Sequence, residues 1–301
     1  MDVKIVDKIY LPKLKLLKRG KVREIYDLGE NILIISTDRI SAFDVVFNNP
    51  IPYKGSVVNK LSEFWFKKTD QIIKNHFIDV DILSFNDDLK EYTEELKLRS
   101  MIAKKGRIIP FECIVRGYLM GSAFESYLKT KSVSDVYLGE GLRKGSKLPF
   151  VLFTPSTKED TGHDVNVTYQ ELENKIGRDN AKTLKEKSIE LFNYASLFAL
   201  EKELILIDTK FEFAEINGEI VLADEIFTPD SSRFILKSDY DKGMIDLSLD
   251  KQYIRNYLIE IKWNKEPPPP NLPLNIIIET SKRYLEIYKL FTDKDLTKEF
   301  S

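Results

Sequence analysis

The most informative pattern of apolar and polar positions lies between Leu204 and Phe234, in LILIDTKFEFAEINGEIVLADEIFTPDSSRF. Side chains alternate faces along a strand, so Asp208, Lys210 and Glu212 share one face while Phe211 and Phe213 take the other. Asn217-Gly218 tolerates positive φ at both positions and predicts a β-hairpin with IVLADEIF as the return strand. A two-residue loop there pairs 212 with 223 and leaves Glu225 on the charged face. A three-residue loop with a glycine bulge pairs 212 with 224, and both registers stay open. Upstream, the alternation in VREIYDL and the apolar run ILIIS predict an antiparallel hairpin closed around Gly29-Glu30-Asn31. Val58, Leu61, Phe64 and Trp65 recur at helical spacing, with Ser56 as the expected cap. HFIDVDI reads as a strand before a solvated segment that ends near Ser100. MIAKK and FECIVRG read as strands, and GSAFESYL as a helix opening at Gly121-Ser122, with Ser122 as a plain N-cap. Residues 139–168 are rich in glycine and proline and predict a long loop with few strands. Thr168 and Glu171 have the spacing of a capping box, and Leu184, Leu191, Ala195 and Phe198 mark a long amphipathic helix. KQYIRNYLIEIKW predicts another helix, PPPPNLP an extended spacer, and IIIETSKRYLEIYKLF a last helix that docks on the body. The sum is an α+β architecture.

Composition narrows the function classes. With 301 residues the chain is long enough for two domains, and leaves no room for a fused second enzyme. Lysine plus arginine number 46 against 48 aspartates and glutamates, so nothing draws the whole molecule to nucleic acid or to a membrane surface. Any anion site is local. A single cysteine, Cys113, excludes an internal disulfide, and with two histidines it makes zinc improbable. Cys113 reads as a small packed residue, since no histidine or basic cluster adjoins it. The start, MDVKIVDKIYLPKLK, lacks the apolar core of a signal peptide, and no apolar run approaches the ~18 residues of a membrane span. A cytoplasmic protein is expected.

Several segments then offer chemistry. Carboxylates converging near a lysine suit Mg²⁺ and a triphosphate, because Mg²⁺ shares hard oxygen ligands between acids and phosphates. An exposed charged hairpin is the plain alternative. TPDSSRF follows, with Asp230, Ser231 and Ser232 suiting a turn or a helix start and Arg233 as a fork for carboxylate or phosphate. Arg19-Gly20-Lys21-Val22-Arg23 sets a glycine among cations where a strand begins, a place for phosphate or merely a basic turn. STDRISAFD presents Asp38, Arg39, Ser41 and Asp44 just past a strand. Arg116 and Ser122 flank a strand-to-helix junction, where free N–H groups favour anions.

IDTKFEF, LADEIFTPDSSRF, KLLKRGKVREIYDL with STDRISAFD, RSMIAKKGRIIPFECIVRGYLMGSAFESYL and TPSTKEDTGHD together resemble the phosphoribosylaminoimidazole-succinocarboxamide synthase (SAICAR synthetase) family of purine biosynthesis. The likeness runs through about residues 15 to 235, in the family's order. It implies a two-domain fold related to protein kinases and ATP-grasp enzymes, with an antiparallel N-terminal sheet and ATP in the cleft between domains. The expected division is 1–112, covering the nucleotide, and 113–301, holding substrate and metal. The implied reaction joins 4-carboxy-5-aminoimidazole ribonucleotide (CAIR) to L-aspartate with ATP, through an acyl phosphate, and gives SAICAR, ADP and phosphate. The resemblance assigns Gly20, Lys21, Val22, Arg23, Lys104, Glu112 and Ile114 to the nucleotide, and Glu212 and Asp224 to Mg²⁺. Lys210 and Asp208 join those two acids at the reacting centre. Asp38, Arg39, Ser41, Asp44, Arg116, Ser122, Lys158, Asp164, Asp230, Ser231 and Arg233 fall to the substrates. The partners are small molecules, with no nucleic acid and no membrane, in a monomer or homodimer.

Overall fold

The computed structural model describes residues 4–158 and 165–300. Its first sheet contains β1 (Leu16–Arg19), β2 (Arg23–Leu28), β3 (Asn31–Ser36), β4 (Phe77–Asp79) and β5 (Ser100–Lys104), antiparallel throughout in the order β1-β2-β3-β5-β4. The run ILIIS is continuously apolar because β3 is covered on both faces. Leu33 and Ile35 pack with Val6, Ile9 and Tyr26, whereas Ile34 faces helix α1 (Lys54–Thr69) in the main core. Leu28 pairs with Asn31, so the turn between β2 and β3 holds only Gly29 and Glu30.

Helix α1 begins two residues before the expected cap, and Ser56 lies inside its first turn. The residue at the cap, Tyr53, makes no side-chain cap hydrogen bond. A distant carboxylate substitutes for it: Asp38 Oδ1 accepts from the Gly55 amide at 2.9 Å. Only glycine fits there, since a Cβ on residue 55 would stand 2.2 Å from the Ser36 carbonyl oxygen.

The second sheet is built on β6 (Phe111–Tyr118), β7 (Lys147–Thr157), β8 (Leu204–Ile216), β9 (Glu219–Ala223) and β10 (Ser232–Leu236). β8 is its spine. Through Asp208–Phe211 it pairs with β6, through Leu204–Thr209 with β10, and from Glu212 onward with β9. Of the two registers open to the hairpin, the two-residue loop is present: Ile216 pairs with Glu219 and Glu212 with Ala223, and Asn217 and Gly218 have φ of 52° and 79°. The 139–168 region departs from the expected loop, because KLPFVLFTPST forms the eleven-residue β7. Its apolar residues find a partner in β6, far away in sequence, and its prolines are tolerated at a sheet edge.

Helix α2 (Gly121–Thr130) follows β6, with Met120 rather than Ser122 at its cap. Helix α3 (Tyr169–Ile176) has the expected Thr168/Glu171 capping box, and α4 (Arg178–Glu201) lays Leu184, Leu191 and Ala195 into the core behind β6 and β8. The chain closes with α5 (Gln252–Glu260) and α6 (Leu274–Thr292). The last helix docks as expected: the Phe291 ring lies 5.0 Å from Phe234 and 5.2 Å from Trp65. One apolar cluster runs from Ile34 and Trp65 to Phe211 and Phe291, so the architecture is α+β over a shared core. Among the described residues no helix is long and apolar enough to cross a membrane.

Candidate active site

The charged face of β8 forms the floor of the site. Phe211 and Phe213 are fully buried on its other side, which fixes the outward direction of Asp208, Lys210 and Glu212. Lys210 Nζ stands 2.6 Å from Glu112 Oε1 on β6 and 2.8 Å from Glu212 Oε1. Lys158, at the end of β7, contacts the second oxygen of Glu212. Asp208 receives two guanidinium groups: Arg116 Nη1 at 3.3 Å and Arg233 Nε at 3.0 Å. Arg116 is held in turn by Thr154 Oγ1 at 3.0 Å, and its Nη2 lies 3.5 Å from Ser122 Oγ. Of these groups, Arg116, Ser122, Asp208, Lys210 and Arg233 line a cleft of about 230 Å³, together with Ile114.

At the other end of the floor β9 stops at Ala223, and Asp224 takes a left-handed backbone, φ 69°. Arg23, reaching down from β2, contacts the Asp224 carboxylate and lies 3.2 Å from Glu225 Oε1. Thr228 Oγ1 donates to Glu225 as well. Burial and the neighbouring Glu212 and Glu225 charges, opposed by Arg23 and Lys158, push the Asp224 carboxyl up to about 6. Glu212 moves the other way. Burial disfavours its charge, but Lys210 and Lys158 outweigh burial and hold it well below the usual carboxylate range. Lys210 is likewise kept protonated against burial by Glu212 and Glu112.

The remaining residues singled out in the sequence fall into distinct places. Gly20, Lys21 and Val22 form the turn between β1 and β2. Their carbonyls are occupied: Arg39 donates to Gly20 at 3.1 Å and to Lys21 at 2.9 Å, and the Thr37 amide donates to Val22 at 2.9 Å. Arg39 therefore shapes this turn, and Lys21 Nζ pairs with Asp44 at 2.6 Å. Asp38 is fully buried, with Arg99 Nη1 at 2.9 Å and the Val6 amide at 2.8 Å in addition to Gly55. Its carboxylate is committed to the fold, which a loop reading of STDRISAFD did not foresee. Ser41 pairs with Val46 in a short strand, and Lys104 is exposed at the end of β5, its charge near Glu219. Asp164, with Asp160 and His163, lies outside the described residues.

Asp230 lines the cleft together with Ser231, and its carboxylate has three partners. Lys54 Nζ is 2.6 Å away, Lys251 Nζ 3.5 Å, and Tyr284 OH donates at 2.7 Å. Sequence reasoning missed these three, as it missed Asp250 and Arg255, which also line the cleft. The charges of KQYIRNYL read as the wet face of an amphipathic helix, and a lone lysine gives no sign of burial. His76 was missed too. Its amide donates to the Leu222 carbonyl at 3.0 Å, while burial lowers the imidazole to about 4 and keeps it neutral.

A model of the SAICAR synthetase family matches residues 16–270 of this chain. The chain is 45% identical over 282 residues to a phosphoribosylaminoimidazole-succinocarboxamide synthase of Thermodesulfovibrio yellowstonii, covering 94% of this chain and 97% of that protein. A counterpart in Syntrophobacter fumaroxidans is 46% identical over 276 residues, covering 91% and 92% respectively. Among solved structures, a SAICAR synthase from Saccharomyces cerevisiae complexed with SAICAR superposes with a TM-score of 0.86 at 36% identity, covering 96% of this chain and 99% of its own.

Proposed function

The chain belongs to the SAICAR synthetase family, and from that premise we propose how its cleft performs the reaction. The protein is an ATP-dependent ligase that condenses CAIR with L-aspartate to give SAICAR, ADP and phosphate in purine biosynthesis. The observation that carries the residue assignment is the row of charges on β8. Asp208 is bracketed by two arginines at one end, and Lys210 is bracketed by two glutamates two residues further on. One strand thus presents an anion-binding end and a phosphoryl-transfer end.

Arg116, Ser122 and Arg233 hold the ribose 5′-phosphate of CAIR, with Arg255 on the same cleft wall. This orientation lays the imidazole carboxylate toward Lys210, whose ammonium is kept charged by Glu112 and Glu212. The carboxylate oxygen attacks the γ-phosphorus, the bond to the β-phosphate oxygen breaks, and ADP leaves. The product is an acyl phosphate. The amine of L-aspartate then attacks the acyl carbon, phosphate departs with the electron pair of the C–O bond, and the amine gives up a proton to form the amide. Arg23 and Lys21 lie on the side from which the triphosphate approaches, and β6 around Glu112 and Ile114 lies along the base. Cation placement of this kind lowers a phosphoryl-transfer barrier mainly by neutralising charge and aligning the reacting atoms.

The acids also suit a metal. Glu212 on β8 pairs with Ala223, the last residue of β9, so Asp224 follows directly at the strand end; burial first, then the Glu212 and Glu225 charges, raises the Asp224 carboxyl, and a hard cation there would relieve that repulsion. Glu212 and Asp224, now paired with Lys158 and Arg23, are the residues that would hold Mg²⁺, which when bound would supply charge neutralisation for the phosphates. Asp38 and Arg39 act indirectly in this reading, by fixing the α1 start and the Gly20–Val22 turn. The division near residue 112 into a nucleotide-covering part and a substrate part, with ATP between them in a kinase- or ATP-grasp-like cleft, belongs to the same proposal, as does a cytoplasmic location. The test is phosphate release with ATP, Mg²⁺ and CAIR, with and without L-aspartate. Release matched one to one by SAICAR and dependent on aspartate supports the assignment; steady release without aspartate sinks it.

A further inference from the structure

Helix α6 lies C-terminal to the residues matched by the family model, which end at 270, yet it touches the segments that deliver cleft residues. Ser281 Oγ donates to the Pro52 carbonyl at 2.8 Å, two residues before Lys54. Arg283 Nη1 donates to the Ser248 carbonyl at 3.0 Å, two residues before Asp250. Tyr284 OH donates to Asp230 Oδ1 at 2.7 Å, three residues before Arg233. Residues 281 and 284 are one helical turn apart and share a face.

We propose that α6 is the frame of the substrate site and that Tyr284 is a positioning residue for CAIR, acting through Asp230 on the Asp230–Arg233 segment. The proposal rests on the ligase reading above. The geometry explains why a hydrogen bond, rather than packing alone, is placed there. Asp230 lies in a tight turn in which the Ser231 amide donates to the Thr228 carbonyl at 3.1 Å and the Asp230 amide to Thr228 Oγ1 at 3.1 Å. Two lysines compensate the Asp230 charge, but an ammonium is a point charge that permits the carboxylate to turn. A fixed phenol directs one oxygen. Tyr284 is fully buried, and burial together with Asp230 holds its hydroxyl far above the ordinary phenol range, so it remains a donor. Ser231 and Arg233, on either side of Ser232, then enter the cleft at a set angle, with Arg233 on Asp208.

The experiment compares Tyr284→Phe with Tyr288→Phe. Tyr288 is on the same helix, is nearly as buried, and donates to Glu299 at 2.7 Å, away from the cleft. Both variants lose one hydrogen bond to a carboxylate, so both lower Tm by similar amounts. Tyr284→Phe alone is expected to raise the KM for CAIR about five- to tenfold, with kcat and the KM for ATP changed by less than about twofold. Direct titration of CAIR without ATP gives the same loss in Kd. Equal CAIR constants for the two variants overturn the positioning role and leave the ligase reading intact. A parallel collapse of kcat, both KM values and Tm in Tyr284→Phe also overturns it, since that pattern marks a structural residue. Wild-type protein that binds no CAIR removes both.

Discussion

Glu212 divides its two oxygens between two lysines, and that division decides what its replacement does. The amide in Glu212→Gln is nearly the same size but carries no charge, so Lys158 and Lys210 lose a shared counter-ion and the proposed metal loses a ligand. The expected kcat falls by about 10²- to 10³-fold, the magnitude of losing one well-placed electrostatic group, while the KM for CAIR stays within about threefold. Steady-state kinetics decides this, and a normal kcat removes Glu212 from the reacting centre. At this scale the alternation in DTKFEF was sufficient to bring Asp208, Lys210 and Glu212 together, because a strand leaves side chains only two directions. The partners were not all legible. Lys54, Lys251 and Tyr284 approach Asp230 from segments far apart in the chain, and nothing in their immediate surroundings in sequence marks them as buried. Asp38 illustrates the opposite difficulty. It sits in a polar cluster that reads as a binding loop, but its acceptor oxygens serve the Gly55 and Val6 amides and Arg99.

At the scale of elements, the junction from β6 into α2 depends on Gly121. Its φ is +56°, and a Cβ there would come within 2.5 Å of Arg233 Nη2. Gly121→Ala therefore combines backbone strain, costing roughly 1–2 kcal/mol in the left-handed region, with displacement of the guanidinium from Asp208. The expected result is a modest fall in Tm and a rise in the KM for CAIR of about tenfold or more, equivalent to losing a charge-assisted hydrogen bond. Equal CAIR constants in Gly121→Ala and wild type would mean that Arg233 relaxes without loss of function. The sequence marks this glycine as the opening of a helix, and the helix is there. Its second role, clearing space for an arginine over a hundred residues away, exists only in the folded sheet. The same distinction applies to β7: local composition described KLPFVLFTPST as loop, and pairing with β6 made it a strand. Conversely the β8–β9 hairpin was readable in existence but not in register, which the two-residue turn at Asn217-Gly218 fixes.

For the molecule as a whole, Asp230 joins distant parts of the chain: Lys54 at the start of α1, Lys251 before α5 and Tyr284 on α6. Such a junction ties stability to pH in a defined direction. Burial alone would raise the Asp230 carboxyl, but Lys251, Lys54 and the Tyr284 hydrogen bond outweigh it and hold the group far below its usual range. In the unfolded chain an aspartate titrates near ~3.9. A carboxyl depressed in the folded state contributes stability that is fully present above that unfolded value and is lost as pH falls toward the folded one. Asp230→Asn leaves two buried ammonium groups without an anion, so at pH 7 it should lower unfolding stability by about 3–5 kcal/mol, as expected when one partner of a buried pair is removed. Below roughly pH 4 the unfolded wild-type chain takes up a proton that the folded chain refuses, and the wild type loses stability that the variant never had. The gap between the two proteins should then narrow from pH 5 to pH 3, which urea unfolding across that range would measure. A gap that stays constant would mean that the Asp230 charge does not carry the junction, and packing of α6 through Phe291 onto Phe234 and Trp65 would be what holds these segments together.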